Sequence, residues 1–304
     1  MKNITKTLLA FMLIFASVLS FASCKGDDGG GASTTAPDDG TTASPETTAE
    51  STTAEVTTAE VTTEEGTYLT LRIGSYNIAN GRQVAHAMRV ISEDILAQDL
   101  DIVGIQEVDR FAKRSNYIDT MKLLSKYTGY EYYYYTKTIN IAGDASKYGQ
   151  KGEYGTGILS KYPILESEST MLSSSTYEQR GYGYAKIDVN GTIINFFNTH
   201  LSYENYAIRS KQFSELAAGL KGMPNCILTG DFNIDGFSNF SPLLEFMELS
   251  CKSDGDPVTI PSKGTTIDNI LFTNEFTLVD VDSVKNNHSD HYLGWAELKL
   301  KIED

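Results

Sequence analysis

From Leu69 to Leu300 the chain is cut into short apolar runs of strand length, separated by turns and a few helix-period stretches. That rhythm limits it to sheet-rich architectures with helices packed outside. The clearest unit is Tyr184 to Val189, the dipeptide Asn190-Gly191, and Thr192 to Asn198. Asn-Gly between alternating runs predicts a type I′ hairpin, because both central residues of that turn take positive φ. Further strands are expected at Leu69 to Tyr76, Ile102 to Gln106, Tyr130 to Thr138, Gly157 to Ser160, Ile164 to Met171, Cys226 to Thr229, Ile267 to Phe272, Phe276 to Val284 and Tyr292 to Leu300. The runs at 157 to 160 and 164 to 171 read as neighbours joined at Lys161-Tyr162-Pro163. Helical spacing appears from Val84 to Ile95, from Tyr117 to Tyr127, and in Phe213, Leu216, Ala217 and Leu220. The sum is two packed, mainly antiparallel sheets flanked by helices, an α/β domain.

Residues 1–67 cannot share that domain. Met1 to Ser23 has a positive start at Lys2 and Lys6, an apolar stretch from Leu8 to Phe21, and small residues before Cys24. It is too short and wrongly flanked for a spanning helix. It resembles a bacterial lipoprotein signal, which implies cleavage before Cys24 and a lipid anchor in the membrane through that cysteine; an ordinary secretory signal cut nearby is the competing reading. Residues 24–67 repeat Thr-Thr-Ala-Glu and are rich in Gly, Asp and Thr, a composition that buries too little apolar surface to repay ordering and predicts a disordered tether. The segment 68–304 is then the folded unit, large enough for one core and expected to act as a monomer at the cell surface.

Charge is split the same way: residues 1–66 carry a net -7 and the remainder -8 of the chain's -15. An acidic domain without a run of basic residues gives no electrostatic argument for nucleic acid, although a bound divalent ion reverses the field locally. Beyond Cys24 the cysteines are Cys226 and Cys251. Cys226 lies in an expected buried strand, where a free cysteine behaves as a small hydrophobe, so no bond to Cys251 is expected.

The chemistry collects where apolar runs stop. Asn77, Glu107, Asn198, His200, Asp231, Asn233, Asp268, Asp290 and His291 each stand at or near a strand end. In Cys226-Ile227-Leu228-Thr229-Gly230-Asp231-Phe232-Asn233, Gly230 is expected to let the backbone turn while Asp231 and Asn233 project together; an ordinary Asx turn is the other reading. Glu107 suits a hard cation, and two histidines among acids suit proton transfer near neutral pH. His86 and His288 read as a solvated and a loop histidine. No Gly-x-Ser-x-Gly elbow, His-Glu-x-x-His helix or phosphate-binding Gly-Lys-Thr loop is present.

Taken in order, Ser75-Tyr76-Asn77, Ile105-Gln106-Glu107-Val108, Tyr154-Gly155-Thr156-Gly157-Ile158-Leu159-Ser160, Asn198-Thr199-His200-Leu201, Gly230-Asp231-Phe232-Asn233, Ile267-Asp268-Asn269-Ile270-Leu271 and Ser289-Asp290-His291 resemble the endonuclease/exonuclease/phosphatase family. The resemblance implies a four-layered α/β sandwich and Mg²⁺ or Mn²⁺ held chiefly by Glu107 with Asn77 and Asp290. It implies His291 as general base or phosphate contact held by Asp268, His200 at the phosphate or leaving group, Asp231 and Asn233 orienting water and a phosphate oxygen, and Arg180, Tyr154 and Asn198 toward the substrate. At Thr156 many members carry asparagine. The substrate implied is a phosphate ester, nucleic acid first; a phospholipid headgroup or sugar phosphate, and a non-catalytic binding protein on the same scaffold, are the alternatives.

Overall fold

The computed structural model describes residues 66–144, 149–234, 236–253 and 257–302. The signal segment, Cys24 and nearly all of the tether lie outside them. Among the described residues twelve strands form two six-stranded sheets. One sheet has the order β11-β12-β1-β2-β4-β3, the other β5-β6-β7-β8-β10-β9. The strands of the first are β1 (Thr67–Asn77), β2 (Ile102–Arg110), β3 (Tyr132–Ile141), β4 (Gly152–Ser160), β11 (Phe276–Val284) and β12 (Leu293–Ile302). Those of the second are β5 (Ile164–Met171), β6 (Gly181–Val189), β7 (Thr192–His200), β8 (Cys226–Asp231), β9 (Met247–Leu249) and β10 (Asp268–Thr273). All pairings are antiparallel except β1 with β2 and β7 with β8.

Helices α1 (Ala87–Ala97) and α2 (Thr120–Thr128) cover the first sheet, burying Met88, Ile91, Ile95, Met121 and Leu124 against Ile105 and Leu159. Helix α3 (Tyr206–Leu220) covers the second, with Phe213 and Leu216 on Leu228 and Phe232. Between the sheets lie Leu71, Ile73, Ile102, Ile158, Ile187, Phe196, Ile227 and Phe272. The order helix, sheet, sheet, helix is the four-layered sandwich. Asn190 at φ 53 and Gly191 at φ 93 make the expected type I′ turn.

Two local readings are corrected. The runs at 157–160 and 164–171 are not sheet neighbours, because Lys161-Tyr162-Pro163 carries the chain from one sheet to the other. Gly230 does not turn the chain: it lies within β8, opposite Asn269, where an added Cβ would meet Thr199 O at 2.8 Å. The sheets also approach closely at Gly104, whose Cβ would fall 1.9 Å from Thr229 Oγ1 and 2.7 Å from Asn198 Oδ1. Cys226 and Cys251 are both buried, with no disulfide between them.

Candidate active site

The parallel pairs set the site. Because β1 runs with β2 and β7 with β8, the carboxyl ends of strands from both sheets reach the same edge of the sandwich. Asn77 lies opposite Gln106, His200 opposite Asp231, and β10 starts there with Asp268 opposite Asp231. Glu107 sits where the β2–β4 register breaks between Ile105 and Val108, and takes a left-handed φ of 56. A bulge with such a backbone re-aims a side chain at a local energetic cost, a signature of functional positions. Ser289 Oγ donates to Asn77 O at 2.7 Å, which holds the loop bearing Asp290 and His291 against the end of β1.

Asp231 is the hub. Asn77 Nδ2 donates to its Oδ2 at 2.9 Å, His200 Nε2 stands 3.4 Å from the same oxygen and His291 Nε2 3.8 Å from it. Its Oδ1 accepts from the Asn233 backbone N–H at 2.9 Å, so the Asx turn and the functional carboxylate coexist in one residue. His291 Nδ1 is 2.8 Å from Asp268 Oδ2. Burial and the Asp268 charge push Asp231 up to about 7. Burial opposes charge on His291, but Asp268, Asp231 and Asp290 outweigh it and raise the imidazole to about 10. His200 goes the other way: burial, Arg180 and His291 all hold it well below the usual range, so it is neutral at pH 7. Two histidines are driven to opposite protonation states around one acid.

Tyr154, Thr156, Arg180 and His200 line a small pocket beside this hub. Arg180 is buried and paired with Glu178 at 3.1 Å, not solvated. Thr156 Oγ1, Arg180 Nε and His200 Nδ1 are buried there without partners, a polar surface waiting for hydrogen bonds. Burial and Glu107 push the Tyr154 hydroxyl far above its usual range, so it remains a donor.

Asn198 is a correction. It is fully buried and spends its amide on Ile105 O and Gly157 O, while its oxygen accepts from Gln106 Nε2 and Thr229 Oγ1. A side chain so committed ties the two sheets together and has nothing left for a substrate. Asn233 donates its side-chain amide to Leu201 O, which turns it toward the loop after β7. Asp290 is half exposed, accepting from Arg82 Nη2 at 3.2 Å. Three participants escaped the sequence reading. Asn80 donates to Glu107 Oε2 at 3.4 Å, and its signal was the Asn80-Gly81 turn just past β1. Arg82 meets Asp290, with no pattern to announce it. His288 contacts the buried Asp94 at 2.9 Å and so clamps the loop that presents His291.

Glu107 fits a cation. Its partly buried carboxylate makes no ion pair among the described residues and receives only two long amide contacts, from Asn77 and Asn80, each 3.4 Å. A carboxylate partly withdrawn from water and without a direct ion pair is costly unless an ion completes it, and an all-oxygen set suits a hard divalent cation. A second group, Asp231, Asp268 and His291, has donor atoms within 4.8 Å of one another. There Asp268 already occupies one imidazole nitrogen, and the other, Nε2, faces Asp231.

The sequence model of the Endonuclease/Exonuclease/phosphatase family matches residues 74–291. An Escherichia coli (strain K12) protein described as uncharacterized protein YbhP is 28% identical over 156 residues, 50% of this chain and 58% of that protein. The chain thus spans under two thirds of the curated relatives it matches. An endonuclease/exonuclease/phosphatase from Beutenbergia cavernae superposes with a TM-score of 0.65 at 19% identity, covering 76% of this chain and 72% of that one. A Danio rerio TDP2 complexed with a single-strand DNA product gives 0.57 at 18%, covering 75% and 98%.

Proposed function

Because the chain belongs to the endonuclease/exonuclease/phosphatase family, we propose that it is a divalent-metal-dependent hydrolase of phosphodiesters, with nucleic acid as its substrate. The observation that carries the reading is the single oxygen of Asp231 faced by Asn77, His200 and His291, with Glu107 reached through the same asparagine. Glu107, Asn77 and Asp290 would hold Mg²⁺ or Mn²⁺, which when bound neutralises charge on the phosphate oxygens. Asp231, lifted toward neutrality, accepts the proton of the attacking water as that water's oxygen bonds to phosphorus; the P–O bond to the ester group breaks, and the departing oxygen takes a proton from solvent. Protonated His291, fixed by Asp268, donates to a phosphate oxygen, and neutral His200 with Arg180 stabilises the opposite side of the phosphoryl group. Of the two roles implied for His291, base or phosphate contact, this reading takes the phosphate contact, since Asp268, Asp231 and Asp290 keep it charged. The TDP2 complex holds a single-strand DNA product, as the nucleic acid reading takes for this chain, and a mannosyl-6-phosphatase and a sphingomyelinase C share the fold at a TM-score of 0.55 each.

In this proposal the enzyme works outside the cell, anchored by lipid at Cys24 and carried on the tether of residues 24–67. Such a tether gives the catalytic domain reach from the membrane. The test is hydrolysis of bis(p-nitrophenyl) phosphate with Mg²⁺ and with EDTA, followed by plasmid DNA, RNA, sphingomyelin and inositol phosphates. Metal-dependent nitrophenol release with cleavage of DNA or RNA supports the reading. Release without either nucleic acid being cut moves the substrate to the lipid or sugar phosphates.

A further inference from the structure

Near Glu107 the segments after β1 and β2, with α1 and α2, enclose a cleft of about 460 Å³ lined by Asn80, Arg82, His86, Arg89, Arg114 and Asn116 among others. None of its lining residues is acidic, in a chain of net charge -15. Three arginines, from the loop after β1, from α1 and from the segment after β2, contribute to that lining. Arg82 has Asp290 as counter-ion and Arg114 is bidentate to the buried Asp109. Arg89 has no ion pair among the described residues; its guanidinium lies 5.5 Å above the Tyr127 ring. The first turn of α1 (Ala87, Met88 and Arg89) also lines the cleft, and no side chain caps that turn, so the positive end of the helix faces the same space. The cleft joins the candidate centre through two residues: Asn80, which donates to Glu107, and Arg82, which meets Asp290.

We propose that this cleft binds a second phosphate of the same substrate molecule, beside the phosphate that is hydrolysed. The proposal rests on reading the Glu107–Asp231–His291 centre as a phosphoester hydrolase and deepens it: the preferred substrate carries two anionic phosphates, as adjacent positions of a nucleotide strand or of a bisphosphorylated sugar do. With Arg82 and Arg114 already paired to carboxylates, Arg89 is the guanidinium whose charge a bound phosphate would neutralise, aided by the uncapped first turn of α1.

The test separates this from the catalytic reading by using binding as well as turnover. Calorimetric titration in Mg²⁺ compares thymidine 3′,5′-bisphosphate with thymidine 5′-monophosphate, and fructose 1,6-bisphosphate with fructose 6-phosphate. At least one bisphosphate should bind about tenfold or more tightly than its monophosphate. Arg89→Glu should remove that preference and Arg89→Lys retain most of it, with bis(p-nitrophenyl) phosphate hydrolysis unchanged in both. The nucleotide pair responding points to nucleic acid, the hexose pair to sugar phosphates. Equal affinities in both pairs, or a preference that survives Arg89→Glu, overturns the proposal while leaving the hydrolase reading standing. Absence of all hydrolysis with the binding preference intact overturns the hydrolase reading instead.

Discussion

At the scale of single residues the site is governed by how one buried acid shares its surroundings with two imidazoles. Sequence could place Asp231, His200 and His291 at strand ends, but it could not say which would be charged; that depends on Asp268 lying 2.8 Å from one histidine while Arg180 stands near the other. A pH profile follows from the signs. Activity requires Asp231 ionised, so kcat/KM should rise with pH through about 7. It also requires His291 protonated, so it should fall as pH passes about 10, the two limbs belonging to the coupled cluster and not to isolated groups. Asp268→Asn removes the main support for the imidazolium and should bring the alkaline limb to lower pH; an unmoved limb would refute the assignment. His291→Ala and Glu107→Ala should each lower turnover by about 10³-fold or more with circular dichroism and melting unchanged in form.

At the scale of elements, most strands were legible because each is a short apolar run with a polar stop. What escaped was which sheet a strand joins. Period-two alternation tells which face is buried but carries nothing about partners, so the crossing at Lys161-Tyr162-Pro163 looked like an ordinary connection. Strand β9, three residues long, has too few positions to show any period. The polar knot between the sheets was equally hidden, since Asn198 at a strand end looks like a site residue until four hydrogen bonds are counted on it. Asn198→Ala would take the side-chain donor away from the buried Ile105 and Gly157 carbonyls and leave the Gln106 amide with Ser75 Oγ as its one side-chain acceptor. It should cost about 3 to 5 kcal/mol in urea denaturation, with KM of the folded fraction unchanged. A raised KM at unaltered stability would return Asn198 to the substrate. Gly104→Ala acts on the same seam by collision with Thr229 and should destabilise by at least about 1 to 3 kcal/mol.

For the whole molecule, folding redistributes charge in a way that chain order conceals. No basic run exists, yet Arg82, Arg89 and Arg114, drawn from three segments, share one cleft. The acids do the converse: Glu107 is left partly buried with no direct ion pair among the described residues. Global stability should therefore depend on divalent metal apart from any turnover. In EDTA the uncompensated carboxylate weakens the fold, so Glu107→Gln, which keeps the shape and removes the charge, should melt at or above the wild-type temperature. In saturating Mg²⁺ the order reverses. Binding to the folded state alone at a hundredfold excess over Kd contributes about 2.7 kcal/mol, which for a domain of this size is a rise of roughly 5 to 10 °C, and Glu107→Gln should forgo nearly all of it. Differential scanning calorimetry of both proteins in both buffers decides the matter. A wild-type melting temperature indifferent to Mg²⁺, or an equal rise in Glu107→Gln, would remove Glu107 from the metal site whatever the activity assays report.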